Sequence, residues 1–167
     1  MRRWSTAWVF GGSQGIGRAV ASAVAARGAR VALFARRPEP LEDAALDISA
    51  RAGGEGCAQA FPADVEDALG VAAACDKAAA TFGPPELVVN CAGRARPRRF
   101  VELTVEDLRA TLGANLEGAW NVSQAALPHL TDRGGTLVHT ASLAGLIGIY
   151  GYSDYAASKA GLIALCE

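Results

Sequence analysis

The run Val9-Phe10-Gly11-Gly12-Ser13-Gln14-Gly15-Ile16-Gly17 decides how this chain is read. A short apolar stretch, Thr6–Phe10, leads into it, and an alanine-rich stretch of helical composition, Arg18–Arg27, follows and ends at Gly28. Glycines between a strand and a helix let the backbone turn tightly and approach a pyrophosphate. The N–H groups of the helix's first turn then meet the phosphate charge. Taken alone, such a run also fits an ordinary strand-to-helix turn; the strand–turn–helix context is what favours phosphate binding.

The same alternation continues outward. Arg30–Ala35 is a second strand candidate, and Pro38–Ala52 reads as a helix with proline near its start and Gly53-Gly54 past its end. Cys57–Phe61 is a weaker third strand, and Val65–Phe82 is a helix stopped by Gly83-Pro84-Pro85. Leu87–Asn90 has the continuous apolar character of a strand buried on both faces. Beyond an arginine-rich loop, Arg94–Arg99, Thr104 is placed as an N-cap with Asp107 three residues on. Helical pattern then runs to about Leu130, interrupted at Gly113 and Gly118. Thr136–Thr140 is a fifth strand, Gly145–Gly151 a loop, and helical pattern resumes at Ser153. Strands alternating with helices predict a parallel sheet with helices on both faces, joined by right-handed crossovers. Units of about 30 residues fit five and a fraction times into 167 residues, so the chain stops partway through a unit.

Composition narrows the function. Hydrophobic residues make up 51% and charged residues 20%, enough to build a core. Sixteen Lys and Arg against seventeen Asp and Glu leave a net charge of −1, without the positive field of a dedicated nucleic-acid binder. Cys57, Cys75, Cys91 and Cys166 are widely spaced with no metal-binding pattern, and are expected to be buried thiols in a reducing compartment. Met1–Ser5 leads straight into the first strand, leaving no apolar leader, and no run approaches the length of a membrane span. The expectation is a cytoplasmic protein with a small-molecule partner and no metal.

The glycine spacing G-x-x-x-G-x-G resembles the cofactor loop of the short-chain dehydrogenase/reductase family, T-G-x-x-x-G-x-G, with Phe10 in place of the threonine. The resemblance implies a Rossmann-type, doubly wound fold in which Gly11, Ser13, Gln14, Gly15, Ile16 and Gly17 border a nicotinamide cofactor. At the end of the second strand Ala35 stands where NAD-using members carry Asp, and Arg36 and Arg37 follow. Arginine accommodates a 2′-phosphate by charged hydrogen bonds, so NADP(H) is favoured over NAD(H); two surface arginines before a helix are the alternative. Asp64, followed by Val65, matches the family's adenine-contacting Asp and equally suits an N-cap for the helix starting at Val65. Asn90-Cys91-Ala92-Gly93 resembles the family's N-N-A-G, so Asn90, Ala92 and Gly93 join the expected cofactor contacts.

Tyr155 and Lys159 lie four apart on a predicted helix and share a face. A free tyrosine is a poor base at neutral pH, and a neighbouring ammonium favours its phenolate. Ser142, thirteen residues before Tyr155, falls at the end of the fifth strand. That spacing, with Asn115 in the preceding helical segment, matches the family's catalytic set. The resemblance implies reversible hydride transfer between cofactor and a carbonyl or secondary alcohol. In it Tyr155 exchanges the proton, Ser142 orients the oxygen, Lys159 holds the cofactor ribose and tunes Tyr155, and Asn115 completes a proton relay. Tyr155 and Lys159 thus also count as cofactor contacts.

Ser142–Tyr155 resembles 3-ketosphinganine reductases, and Tyr155-Ala156-Ala157-Ser158-Lys159 is as similar to 3-oxoacyl carrier-protein reductases. A 3-keto lipid or acyl-type substrate is one expectation, with Tyr150 and Tyr152 either walling an acyl chain or packing on the sheet. The Arg94–Arg99 loop is either solvated or a basic attachment point beside the site. His129 and His139 are given no catalytic role, and Trp4, Trp8 and Trp120 are read as packing residues. The resemblance also implies a homodimer or homotetramer through Val105–Leu130 and the helix from Ser153. It spans nearly the whole chain, so residues 1–167 are expected to form a single NAD(P)-binding domain incomplete at its C-terminus. A non-catalytic NADP(H)-binding protein or inactive fragment is the competing expectation.

Overall fold

The structure, a computed structural model, describes residues 4–54, 56–130 and 134–167; Met1–Arg3 of the opening segment lie outside the described residues. Five strands, β1 (Thr6–Phe10), β2 (Arg30–Ala35), β3 (Ala58–Pro62), β4 (Leu87–Asn90) and β5 (Thr136–His139), form one parallel sheet in the order β3-β2-β1-β4-β5. Around it lie α1 (Gly15–Ala25), α2 (Pro38–Ala52), α3 (Ala68–Phe82), α4 (Val105–Leu112), α5 (Gly118–Ala126) and α6 (Ser153–Leu165).

The alternation of side chains along each strand divides the core in two. Ala7 and Val9 of β1, Val31 and Leu33 of β2, and Leu87 and Val89 of β4 face α1 and α2, meeting Ala21, Val24, Leu41 and Ile48. Trp8 and Phe10, Ala32 and Phe34, and Val88 face the other way, onto Val71, Cys75, Phe82 and Val122 of α3 and α5. All five residues of β1 are buried, as a central strand covered on both faces must be. Phe10 is fully buried, with its ring stacked 4.2 Å from that of Phe34. The residue that departs from the family's loop pattern is therefore a core aromatic, contributing about 1.5–3 kcal/mol of burial.

Element boundaries differ from the sequence expectation where side-chain chemistry competes with periodicity. Helix α1 starts at Gly15, inside the glycine run, rather than at Arg18. Helix α3 starts at Ala68 and is capped by Asp67, whose side chain accepts the Gly70 N–H. Asp64 is thus not an N-cap; it accepts the Glu66 N–H at 3.2 Å in a turn one step earlier. The Thr104 cap stands as expected, with Asp107 returning the bond in a capping box. The helix beyond is not one element: a π segment, Gly113–Glu117, separates α4 from α5. Its bounding glycines admit close neighbours. A β-carbon at Gly113 would lie 2.8 Å from the Glu66 carboxylate, and one at Gly118 would lie 2.7 Å from Val65 Cγ2.

Two further expectations are corrected. Only Cys75 is buried, its thiol pushed up to about 12 by burial; Cys57 and Cys91 are half-buried and Cys166 is exposed. Trp8 is a core residue, but Trp120 is half exposed. The arginine loop is largely exposed at Arg94, Arg96 and Arg99, with Arg98 paired to Asp107 at 2.8 Å and Arg99 to Glu102 on the surface. No described helix is long and apolar enough to cross a membrane.

Candidate active site

The chain leaves β1 toward β2 and β3 on one side and returns through β4 toward β5 on the other. The crevice beyond the carboxyl ends of β1 and β4 is therefore the switch point at which ligands bind in such sheets. Two loops meet there. Gly11, at φ 73°, sits so close to the chain after β4 that a β-carbon on it would fall 2.8 Å from Ala92 N and Cys91 C. Gly17 is pressed onto the same turn, where a β-carbon would fall 2.3 Å from Gly11 O. No side chain caps α1 and its first turn holds no acidic residue, so its N–H groups face the crevice without competition.

The cleft gathers residues from the four loops that follow β1 to β4, with Ala114 of the π segment. Gly11, Ser13 and Gln14 border it beside Arg36 and Arg37, with Asp64 and Val65 opposite and Ala92, Gly93 and Arg94 at one end. Gly15 and Ile16 lie on the exposed start of α1, and Gly17 is buried behind the turn. Asn90 is buried beneath the cleft and acts through the backbone, its Oδ1 accepting the Ala92 N–H at 3.0 Å. A backbone cradle that any β-carbon would fill, an uncapped helix start and two free guanidinium groups fit a dinucleotide phosphate chain. Arg36 and Arg37 are exposed and stand on the rim of this cleft.

Gly93 joins the cleft to the second half of the site. A β-carbon there would lie 2.8 Å from Asn115 Oδ1 and 4.0 Å from Lys159 Nζ. Asn115 is buried at the centre of the π segment, where its Oδ1 accepts the Arg94 N–H at 2.7 Å and its Nδ2 donates to Arg94 O at 2.9 Å. Lys159 is buried and donates to Thr140 O at 2.6 Å. Burial holds its ammonium below the ordinary lysine range, with nearby Cys91 opposing the shift. Its Nζ lies 5.8 Å from the centre of the Tyr155 ring. Ser142 stands in extended backbone three residues past β5, its Oγ accepting the Ala144 N–H at 3.2 Å. The 3-10 turn it opens, Leu143–Gly145, lies flush on α6, where a β-carbon at Gly145 would meet Lys159 C at 2.7 Å. The structure thus gathers Asn115, Lys159 and Tyr155, and the turn that Ser142 opens packs on the same helix through Gly145.

Matches to known proteins agree with this geometry. Residues 5–167 match the family model described as short chain dehydrogenase. The chain belongs to the short chain dehydrogenase family. It is 38% identical over 162 residues to a D-threitol dehydrogenase of Mycolicibacterium smegmatis, covering 96% of this chain and 61% of that protein. It is 36% identical over 155 residues to a mouse 3-oxoacyl-[acyl-carrier-protein] reductase, covering 93% and 63%. A crystal structure of a dehydrogenase/reductase from Sinorhizobium meliloti superposes with a TM-score of 0.88 at 34% identity, covering 96% of this chain and 63% of the other. This short chain dehydrogenase sequence therefore spans about three-fifths of the length of these relatives.

Sequence reasoning passed over one residue of this neighbourhood. His139 is the last residue of β5 rather than mid-strand, and pairs across the sheet with Asn90. Asn90 Nδ2 donates to its Nδ1 at 3.2 Å, and its Nε2 lies 3.0 Å from Ser123 Oγ, which itself donates to Ala119 O. That chain is satisfied only by a neutral ring protonated at Nε2. Burial, then the Lys159 charge, hold His139 below the ordinary histidine value. A histidine whose folded value is depressed contributes stability that is complete above about pH 6.5 and lost as pH falls through the folded value. Thermal unfolding across about pH 7 to 5 should therefore show a stability loss on acidification that His139→Asn removes. The same pH dependence in both proteins rejects this role.

Proposed function

We propose that this short chain dehydrogenase chain carries the cofactor and catalytic regions of an NADP(H)-dependent oxidoreductase that interconverts a carbonyl and a secondary alcohol. The observation that supports it most is the junction at Gly93. A phosphate-fitting cleft there ends where Asn115 and Lys159 converge, with Tyr155 one helical turn from Lys159. When bound, the nicotinamide supplies or accepts the hydride.

Each residue has a distinct task in this reading. Gly11, Ser13, Gln14, Gly15, Ile16 and Gly17 receive the phosphates, and Asp64, Val65, Asn90, Ala92 and Gly93 border the adenosine end and the backbone beside it. Tyr155 gives its phenolic proton to the carbonyl oxygen during reduction, and the nearby Lys159 ammonium steadies the phenolate left behind. Ser142 orients the oxygen, while Asn115 holds the Arg94 backbone and links the site to the buried interior.

Arg36 and Arg37 point to NADP(H). Neither makes an ion pair among the described residues, and both border the cleft beyond Ala35. A charge-assisted hydrogen bond contributes about 1.5–3 kcal/mol. The Arg36→Ala/Arg37→Ala double variant is accordingly expected to bind NADPH at least about 10-fold more weakly with NADH binding unchanged. Fluorescence titration of both cofactors checks this, and an unaltered preference removes the assignment.

For the substrate we favour a 3-keto acyl or lipid-type carbonyl. The segment between Ser142 and α6 exposes Leu143, Leu146, Ile147, Ile149 and Tyr150, an apolar surface suited to a hydrocarbon chain. Relatives whose names specify 3-oxoacyl carrier-protein reduction and (3R)-3-hydroxyacyl-CoA dehydrogenation are consistent with that class. We also favour a homodimer or homotetramer, since α4 and α5 leave Val105, Leu108 and Trp120 exposed. An NADPH-oxidation screen of long-chain 3-keto substrates beside simple ketones tests the reading. Nucleotide binding without turnover of any carbonyl identifies a binding protein instead.

A further inference from the structure

Two polar bonds of identical spacing connect the helix carrying Tyr155 to the segment carrying Asn115. Thr111 Oγ1 donates to Asp154 Oδ2 at 2.6 Å, and Asn115 Nδ2 donates to Ser158 Oγ at 2.9 Å. Thr111 and Asn115 stand four residues apart, as do Asp154 and Ser158, so one turn of each segment is joined to one turn of the other. All four side chains are buried, the most exposed being Asp154 at 4%. Ser158 Oγ also donates to Tyr155 O at 2.7 Å, tying the second rung to the backbone that holds the phenol.

Tyr155 and Lys159 each follow a rung residue directly. One residue along an α-helix is a rotation of about 100°, so fixing the face that bears Asp154 and Ser158 fixes the direction in which Tyr155 and Lys159 leave the helix. Apolar packing on this helix rests on the buried Leu162, one turn past Ser158, while Ala156, Ala157, Ala160 and Gly161 beside the reacting pair present little shape. Directional bonds between buried groups set the direction there, since any other roll strands a polar atom away from water. The first rung is sensitive for another reason: Asp154 Oδ1 has no hydrogen-bond partner among the described residues. Without the Thr111 hydroxyl, the carboxylate loses the side-chain donor that holds it inside.

We propose that Thr111, Asp154 and Ser158 are positioning residues, a two-rung clamp that sets the roll of α6 and so the placement of Tyr155 and Lys159. The functional consequence rests on the reading of those two residues as the proton-transfer pair; the clamp itself can be tested without turnover.

The chain has two lysines, Lys77 and Lys159, and Lys77 is exposed, so lysine-selective carbon-13 labelling gives two assignable resonances. Around Lys159 stand Cys91 just past β4, His139 from β5 and Tyr155 from its own helix. In the unmodified protein Lys159 is expected to titrate below the ordinary lysine range. Thr111→Val, and separately Ser158→Ala, should let α6 roll and hydrate the amine, moving that midpoint up toward the ordinary range. The kcat for carbonyl reduction should fall about 10- to 100-fold. Thr111→Ser, which keeps the hydroxyl, should restore both readouts. A variant that loses thermal stability but keeps the Lys159 midpoint and kcat overturns the proposal, leaving a structural contact only. Should Thr111→Val fail to fold, Ser158→Ala carries the test, and an unshifted Lys159 midpoint in that variant overturns the clamp. If Tyr155→Phe turns over normally, the proton-transfer reading fails while the Lys159 midpoint still decides the clamp.

Discussion

Tyr155→Phe is expected to lower NADPH-dependent carbonyl reduction by about 10²- to 10⁴-fold, the range contributed by one positioned proton donor. The change removes an oxygen and leaves the ring. The 5.7 Å edge contact with Tyr152 is therefore kept, and so is the backbone carbonyl that receives the Ser158 hydroxyl. Folding stability should stay within a few tenths of a kcal/mol, a surface-type change, because Tyr155 is only half-buried and its hydroxyl makes no hydrogen bond among the described residues. Cofactor affinity should stay within a factor of about two, since uniform binding and transition-state proton transfer are separate terms. A loss in kcat without a loss in NADPH binding is thus the specific signature. Steady-state turnover alongside a binding titration measures both, and normal turnover in the variant removes Tyr155 from the chemistry.

Gly17→Ala carries the second large effect, and it acts through the backbone. The added β-carbon would stand 2.3 Å from Gly11 O and 2.8 Å from Gly11 C, distances that no side-chain rotation relieves because the neighbours are main chain. Either α1 moves away from the turn or the turn moves into the cleft. Overpacking of this kind costs about 1–3 kcal/mol, which in a protein of this size lowers the melting temperature by about 2–4 °C per kcal/mol. Nucleotide affinity should fall with it by about 10- to 100-fold, since the displaced groups are the N–H donors at the helix start. Gly15→Ala separates crowding from backbone conformation. Its β-carbon would meet nothing within 4 Å, yet its φ of 56° is left-handed, so that variant pays a conformational cost of about 1–2 kcal/mol without filling the cradle. Differential scanning calorimetry and NADPH titration of both variants measure this. Equal affinity losses at the two positions would sink the crowding argument.

Several of these features are legible in the chain because they are local. The N-cap at Thr104, the proline start of α2, the left-handed glycine at its end and the apolar continuity of Leu87–Asn90 are each set by residues within one or two turns. The glycine run is legible for the same reason: its meaning depends on the strand before it and the helix after it. Misreadings arise where a residue answers to something distant. Asp64 and Asp67 offer equivalent caps three residues apart, and the choice falls to Asp67 while Asp64 turns to the Glu66 N–H. Gly113 and Gly118, by contrast, do mark the interruption read from the sequence, standing at the start of the π segment and of α5. They are small because Glu66 and Val65 press against them from the preceding loop.

By itself, then, the sequence determined the alternation of strands and helices, the parallel sheet and the identity of the residues that line its carboxyl edge. Periodicity, capping chemistry and motif spacing act over a few residues and survive without knowledge of the rest. Only the tertiary structure decided that His139 is a neutral link under the cofactor loop, that Gly93 lies beside both Asn115 and Lys159, and that Thr111 and Asn115 grip the helix of Tyr155. Those contacts join residues many tens of positions apart. Their energy comes from burying polar groups with partners that the fold alone brings within reach.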